Sequence, residues 1–157
     1  VGLTAVTGPG VTVILDDAPA SVAANGIEPD LLVVHQQDIQ AVVNALWSGG
    51  AEAMTIQEQR VISTTAVKCV GNTVVLHGIP YAPPYRIRAI GDPVRLHAAL
   101  AGSEPIQIYQ QYVAAYGLVF REKSEDGLEL PAHEGSLDLT HALPYSGFGV
   151  RSSTGRR

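Results

Sequence analysis

The sequence is short of cysteine, and this excludes a disulfide-stabilised fold. Cys69 is the only cysteine among 157 residues, so no internal disulfide can form. Its neighbours Val67 and Val70 predict a strand in which Cys69 is a small buried hydrophobe. No apolar run approaches the roughly 18 residues that a membrane-spanning helix needs. Because the chain begins at Val1 without an initiator Met, we expect it to be a fragment of a longer protein.

Charge is also scarce, and basic charge is scarcer than acidic. Charged residues make up 16% of the chain. Its ten basic and fifteen acidic residues give a net charge of −5. No basic cluster is longer than the terminal Arg156-Arg157, so a nucleic-acid partner is not expected. A hydrophobic content of 46% suffices for a buried core. The low content of charged residues favours a surface that binds protein partners.

The motifs of metal, nucleotide and covalent chemistry are missing. No Cys/His cluster or HExxH motif occurs, since the histidines are widely spaced: His35, His77, His97, His133 and His141. The sequence also lacks a GxSxG elbow, a GxGxxG fingerprint and a P-loop. We therefore expect no metal and no cofactor.

Hydrophobic periodicity predicts an alternation of strands and helices in the first half. Residues 3–6 and 11–15 read as strands separated by a turn at Gly8-Pro9-Gly10, and residues 16–30 read as a long loop. Apolar residues at helical spacing predict a helix over 36–47, followed by a strand over 53–57. A strand, a helix and a strand in this order predict a right-handed crossover with parallel strands.

The second half continues with hairpins and two helices. Residues 61–70 and 73–77 read as an antiparallel pair, and residues 86–90 as a further strand. Asp92-Pro93 and Ser103 begin two helices that end at Gly102 and Gly117. Residues 118–123 and 128–130 then form a predicted hairpin. Residues 132–157 are rich in Gly, Ser, Thr and Arg, and we expect a polar, flexible tail.

This order predicts one α+β domain over residues 1–131. We expect a mixed sheet with helices packed on one face, ferredoxin-like in its βαββαβ order, with extra hairpin strands.

One group of polar residues is expected to converge in this topology. Asp16 and Asp17 follow a strand, while His35 and Asp38 begin the crossover helix. Open α/β sheets place ligands at such a junction, so the group is a candidate site for acid/base chemistry or ligand binding. The alternative is structural, because turns and helix caps use the same residues.

Aromatic residues mark a second candidate surface. Tyr109, Tyr112 and Tyr116 share one face of the last predicted helix, and Trp47 lies at the end of the first long helix. Such amphipathic rings occur both at core edges and at interfaces. Both interpretations are open.

Several ordered motifs carry a family resemblance. They are GPGVTVILDD at 8–17, VH at 34–35 with Asp38, VVNAL at 42–46, GAEA at 50–53, PPY at 83–85 and AIGDP at 89–93. Over residues 3–131 the chain resembles the DUF881 family, also called UPF0749. The resemblance implies a bacterial membrane protein with one N-terminal transmembrane helix, a coiled coil, and this domain at its C-terminal end. The family has no known function and no assigned catalytic residues, and some firmicute relatives are encoded beside cell-division genes.

The expected function is non-catalytic. We predict an interaction or scaffold domain of a membrane-anchored, single-pass protein, extracytoplasmic, homodimeric or homo-oligomeric, and linked to the cell envelope or division. The alternative is a small-ligand or hydrolytic site around Asp17, His35 and Asp38. A concave pocket that these side chains line favours the alternative, and their use as caps favours the interaction domain.

Overall fold

The computed structural model describes residues 4–62, 65–70 and 73–132. These residues form two antiparallel sheets and four α-helices. The larger sheet has the order β3-β2-β7-β1-β8, with β1 Val6–Asp16, β2 Ala53–Ile56, β3 Gln59–Val61, β7 Tyr85–Ile90 and β8 Val119–Leu130. The smaller sheet contains β4 Val67–Val70, β5 Thr73–Leu76 and β6 Ile79–Tyr81. The helices are α1 Ala20–Ala23, a 3₁₀ helix Pro29–Leu32, α2 Gln36–Ser48, α3 Pro93–Ala101 and α4 Glu104–Tyr116. The expected tail lies outside the described residues, except for its first residue.

The predicted mixed sheet is wrong, whereas the predicted parallel direction of β1 and β2 is confirmed. β7 lies between β1 and β2 and pairs antiparallel with both. β1 and β2 therefore run in the same direction without touching through hydrogen bonds. Every strand pair in the described part of the chain is antiparallel. The sheet has no parallel pair because β7, distant in sequence, lies in the gap between β1 and β2 that the crossover leaves.

The predicted turn at Gly8-Pro9-Gly10 is also wrong, because the segment is an irregular part of β1. The register with β8 shifts between Gly8 and Gly10, so Pro9 falls where a β-bulge interrupts the ladder and no N–H is required. The Pro9 carbonyl accepts a hydrogen bond from Gly91 N at 2.9 Å. At Gly10 a Cβ atom would lie 1.9 Å from the Ala89 carbonyl oxygen of β7. The second glycine therefore permits close contact between two strands.

The hairpin predicted around residues 125–127 is a single strand as well. β8 pairs with β1 on both sides of the bulge, from Val119 opposite Asp16 to Leu130 opposite Val6. β1 supplies hydrogen-bonding partners along the whole length of β8, so the strand continues through Gly127 instead of turning there.

Cys69 lies in a strand as expected but is exposed, because only Val67 of β4 is buried in the core.

The main core lies between the helices and one face of the larger sheet. Val11, Val13 and Leu15 of β1 are fully buried and share a cluster with apolar residues of α2, α3 and α4, including Ile39, Val42, Leu46, Leu96, Leu100 and Ile106. The periodicity that predicted α2 is thus confirmed. A smaller cluster contains Ala53, Ile90, Leu128 and Leu130. In the described part of the chain, no helix has the length and apolar character that crossing a bilayer requires.

Gly10→Ala tests the close approach of β1 and β7. We expect it to lower the free energy of unfolding by at least about 3 kcal/mol, because the new methyl group collides with backbone that cannot move without breaking the ladder. Gly127→Ala, in β8, has no atom within 4 Å of the added Cβ and serves as the matched control. Urea unfolding of both variants measures the difference. Equal stability of the two variants would show that β1 and β7 do not meet at Gly10.

Candidate functional site

A cavity of about 250 Å³ lies between the 3₁₀ helix, the start of α2 and α4. Its lining combines both candidate groups of the sequence: Asp30, Leu31, Val33, His35, Gln37, Asp38, Tyr109, Tyr112 and Leu118. Two polar residues of the predicted site, His35 and Asp38, therefore meet two tyrosines of the predicted aromatic surface. Because α2 and α4 pack against each other, the cavity is built on two helices of the core.

The start of α2 positions the polar side of the cavity. His35 is the N-cap residue, and its backbone N–H donates to Asp38 Oδ2 at 2.8 Å. This carboxylate also lies near the free N–H groups of the first helical turn, where negative charge is favourable. Asp38 therefore has a capping role as well as a place in the cavity wall.

The His35 ring lies between two carboxylates. Its Nε2 atom is 3.1 Å from Asp30 Oδ1, and its Nδ1 atom is 3.7 Å from Asp38 Oδ2. The Asp30 side chain is 82% exposed, whereas that of Asp38 is 19% exposed. The cavity thus has one carboxylate at its open edge and one deeper in its wall, with the imidazole between them.

Asp16 and Asp17 do not join this lining. Asp17 Oδ1 accepts a hydrogen bond from Val34 N at 2.9 Å, and Asp16 Oδ1 accepts one from Asp17 N at 2.8 Å. Asp17 thereby fastens the end of β1 to the segment that precedes α2. The four residues of the predicted site are neighbours in the structure, but only His35 and Asp38 line the cavity.

Burial affects the acid groups at this end of the sheet. Loss of solvent raises the pKa of Asp38 above its ordinary value, opposed by the hydrogen bond from His35 N. The pKa of Asp17 is raised for the same reason, opposed by the hydrogen bond from Val34 N. Burial also raises the pKa of Tyr109, and its hydroxyl donates to the Val119 carbonyl at 2.8 Å. Tyr109 is therefore a neutral hydrogen-bond donor that ties α4 to β8.

The three tyrosines differ in exposure. Tyr109 is 4% exposed and packs in the core, whereas Tyr112 is 38% exposed at the cavity. The rings of Tyr112 and Tyr116 stack with centroids 6.1 Å apart. Trp47 is half-buried against the core, and its indole N–H has no hydrogen-bond partner in the described part of the chain. The interface roles of Tyr112, Tyr116 and Trp47 stay predictions.

A second polar cluster was missed by sequence reasoning. His97 of α3 contacts Glu122 through Nδ1, and its Nε2 lies 2.7 Å from Ser124 Oγ. Glu122 and Ser124 are two residues apart on β8, so their side chains point to the same face, toward α3. That spacing is a signal in the sequence, but nothing local indicates that α3 brings a histidine over it. Within the described ranges, no group of three His, Cys, Asp or Glu residues suits a metal ion.

Asp38→Asn tests the electrostatics of the cavity wall. The amide keeps an oxygen that accepts from His35 N but carries no charge. Because burial raises the pKa of Asp38, ionisation costs stability in the folded state. This cost is absent below the unfolded pKa of about 3.9 and grows as the pH rises through the folded value. The unfolding free energy of the wild type, relative to Asp38→Asn, should therefore fall as the pH rises from about 3 to 7.

Chemical denaturation across this pH range measures the difference. Asp38→Ala is the control for the cap, and it should be about 1 kcal/mol less stable than Asp38→Asn at every pH. A relative stability of the wild type that increases with pH would contradict a raised pKa.

The amino-acid sequence is similar to those of known proteins. UPF0749 protein Rv1823 of Mycobacterium tuberculosis is 30% identical over 132 residues, which cover 81% of this chain and 43% of the relative. UPF0749 protein YlxW of Bacillus subtilis is 37% identical over 93 residues, covering 59% of this chain and 39% of the relative. The chain thus spans less than half the length of these relatives.

One solved structure is also similar to this chain. It is the crystal structure of an uncharacterized conserved protein from Mycobacterium tuberculosis, with a TM-score of 0.67, 29% sequence identity, and coverage of 85% of this chain and 86% of that one. The model of the family described as "Bacterial protein of unknown function (DUF881)" matches residues 1–143. The resemblance predicted from the motifs is therefore confirmed, and the chain belongs to the DUF881 family.

Proposed function

We propose that this chain is a non-catalytic recognition domain and that it holds a partner at the cavity between the 3₁₀ helix, α2 and α4. The observation that carries the proposal is the shared lining. Acidic groups from the 3₁₀ helix and the start of α2, together with tyrosines from α4, face one recess of about 250 Å³. A few placed polar groups beside aromatic rings are typical of a binding site. A carboxylate lies beside each ring nitrogen of His35. These carboxylates orient the ring, and they occupy the positions where a hydroxyl group would have to lie for the histidine to activate it.

The lining favours a cationic group of a protein partner. Asp30 and Asp38 supply two carboxylates, and the exposed ring of Tyr112 supplies an aromatic face. A lysine or arginine side chain can form charge-assisted hydrogen bonds with the first two and a cation–π contact with the third. Partly exposed tyrosines are also frequent binding hot spots.

We further propose that the domain is the extracytoplasmic part of a single-pass, membrane-anchored protein. The lengths of the relatives support this, because they leave room outside the matched segment for the anchor and coiled coil that the family resemblance implies. A coiled coil would hold two copies together at high effective concentration, so that a weak contact between domains is populated. A scaffold for envelope or division proteins fits this arrangement.

The finer fold is likewise proposed to be ferredoxin-like, with β3 and the β4–β6 sheet as additions. The strand order β8-β1-β7-β2 supports it, together with α2 between β1 and β2 and the α3–α4 pair between β7 and β8.

A test of recognition compares two variants of the intact protein in its native membrane. Tyr112→Ala should reduce recovery of the bound partner at least tenfold in quantitative affinity purification, because it removes the aromatic contact at the cavity. Ile108→Ala, also exposed on α4 but outside the cavity lining, is the matched control and should recover the partner normally. Equal recovery by both variants would exclude the cavity as the recognition site. Thermal unfolding of both variants confirms that they are folded.

A hydrolytic function is the second candidate, and one specific observation favours it. Ser124, His97 and Glu122 are linked in the order of a nucleophile, a base and an orienting carboxylate. In such chemistry, the Ser124 Oγ forms a bond to a carbonyl or phosphoryl centre while His97 accepts its proton. His97 then gives this proton to the leaving group as the bond to that group breaks, and water hydrolyses the covalent intermediate. The group lies outside the lining of the cavity described above, which is why we rank this function second.

A fluorophosphonate probe tests the second candidate directly. Labelling should occur on Ser124 and slow by at least about 100-fold in His97→Gln, because the base is lost. Ser48→Ala, at an exposed serine of α2, is the control and should leave labelling unchanged. Labelling that fails in the wild type would remove this candidate.

A further inference from the structure

The sheet face opposite the helices carries a concentration of basic side chains. Residues that stand directly opposite in an antiparallel pair share a face. Arg86 and Arg121 flank Ile14 in this way, and Arg88 and Lys123 flank Thr12. Ile14 and Thr12 alternate with Val11, Val13 and Leu15, which pack against the helices. We call Arg86, Arg88, Arg121 and Lys123 the basic face.

This concentration stands out against the composition. The described residues contain seven Lys and Arg side chains against thirteen Asp and Glu, yet four of the seven form the basic face, and the buried Arg60 lies on the same side of the sheet. Arg88 pairs with Glu58 at 3.4 Å. Arg86, Arg121 and Lys123 are exposed and form no ion pair within the described part of the chain. Three cations are therefore available to an anionic partner.

An acidic surface lies near the same end of the sheet. Glu28 and Asp30 are exposed at the 3₁₀ helix, where Asp30 forms the open edge of the cavity. We call these two residues the acidic rim. The cavity also includes Leu118, which directly precedes β8, and Arg121 lies three residues further along. The acidic rim and the row of Arg86 and Arg121 thus flank the end of the sheet where β1 stops.

We propose that the basic face docks against the acidic rim of a second copy of this chain, in a two-fold dimer. The inference rests on the proposed function. It identifies the cationic group that binds at the open edge of the cavity as Arg86 or Arg121 of the other copy. Two surfaces of opposite charge at one end of the domain suit two-fold symmetry, because a single rotation brings each into contact with its complement.

Other anionic occupants fit the face less well. Single-stranded nucleic acid binds through aromatic side chains on which bases stack, whereas the residues at the centre of this face are Thr12 and Ile14. An anionic bilayer would be repelled by a domain with almost twice as many acidic as basic side chains. A second copy presents its negative charge locally, at the acidic rim, where the basic face can meet it.

Charge reversal tests the contact in the full chain. Sedimentation equilibrium at several concentrations and at low salt should show dimers that weaken at high salt, since the contact is electrostatic. Arg86→Glu with Arg121→Glu, or Glu28→Arg with Asp30→Arg, should each raise the dissociation constant at least tenfold. A mixture of these two double variants should form heterodimers with near wild-type affinity, because both contacts again pair opposite charges. Lys68→Glu with Arg95→Glu is the control for net charge and should dimerise normally.

Three results would overturn the proposal. The first is a wild type that stays monomeric up to near-millimolar concentration. The second is reversal variants that associate like the wild type, or that do not recover on mixing. The third is loss of binding to phosphatidylglycerol vesicles in Arg86→Glu with Arg121→Glu while association is unchanged, which would assign the face to a membrane. If recovery of a protein partner still depends on Tyr112 when one of these results is obtained, the dimer proposal fails while recognition at the cavity stands, so the two proposals fail separately.

Discussion

The insertion of β7 between β1 and β2 is the constraint on which the rest of this structure depends. β7 pairs with both strands, and it can approach β1 only because residue 10 has no side chain to collide with the Ala89 carbonyl. The Pro9 carbonyl in turn accepts a hydrogen bond from Gly91, just after β7. The Gly-Pro-Gly segment thus fixes the centre of the sheet, and the centre of the sheet fixes which residues face the helices and which face away.

That division gives the two faces different uses. The apolar face is covered by α2, α3 and α4, and this packing stabilises the domain. The opposite face keeps the long basic side chains of β7 and β8, and the end of β1 brings the start of α2 close to α4. Asp38, which caps α2, and Tyr109, which ties α4 to β8, also line the cavity. Stability and the proposed recognition therefore depend on the same residues, with Asp38 as the clearest case.

Local patterns in the sequence predicted what depends on neighbouring residues. The helix α2 was predicted because Ile39, Val42 and Leu46 repeat at its own period, and the caps Asp92 and Ser103 begin α3 and α4 as expected. The pairing of β1 with β7 and the contact of His97 with Ser124 join segments far apart in the chain. Neither leaves a local signal. Turn-forming residues were misread at Gly8-Pro9-Gly10 and at Gly127, because a long partner strand overrides turn propensity.

The domain is proposed to recognise a protein partner at the cavity between the 3₁₀ helix, α2 and α4. The most direct test replaces Tyr112 with the photoreactive residue p-benzoylphenylalanine in the intact, membrane-resident protein and maps the cross-linked peptides. Recognition at the cavity predicts cross-links to another chain, on a peptide that carries lysine or arginine next to the linked residue. The same probe at Val94, exposed on α3, should give few cross-links. Equal yields at the two positions, or links only within the molecule that carries the probe and none to a second molecule, would contradict recognition at the cavity.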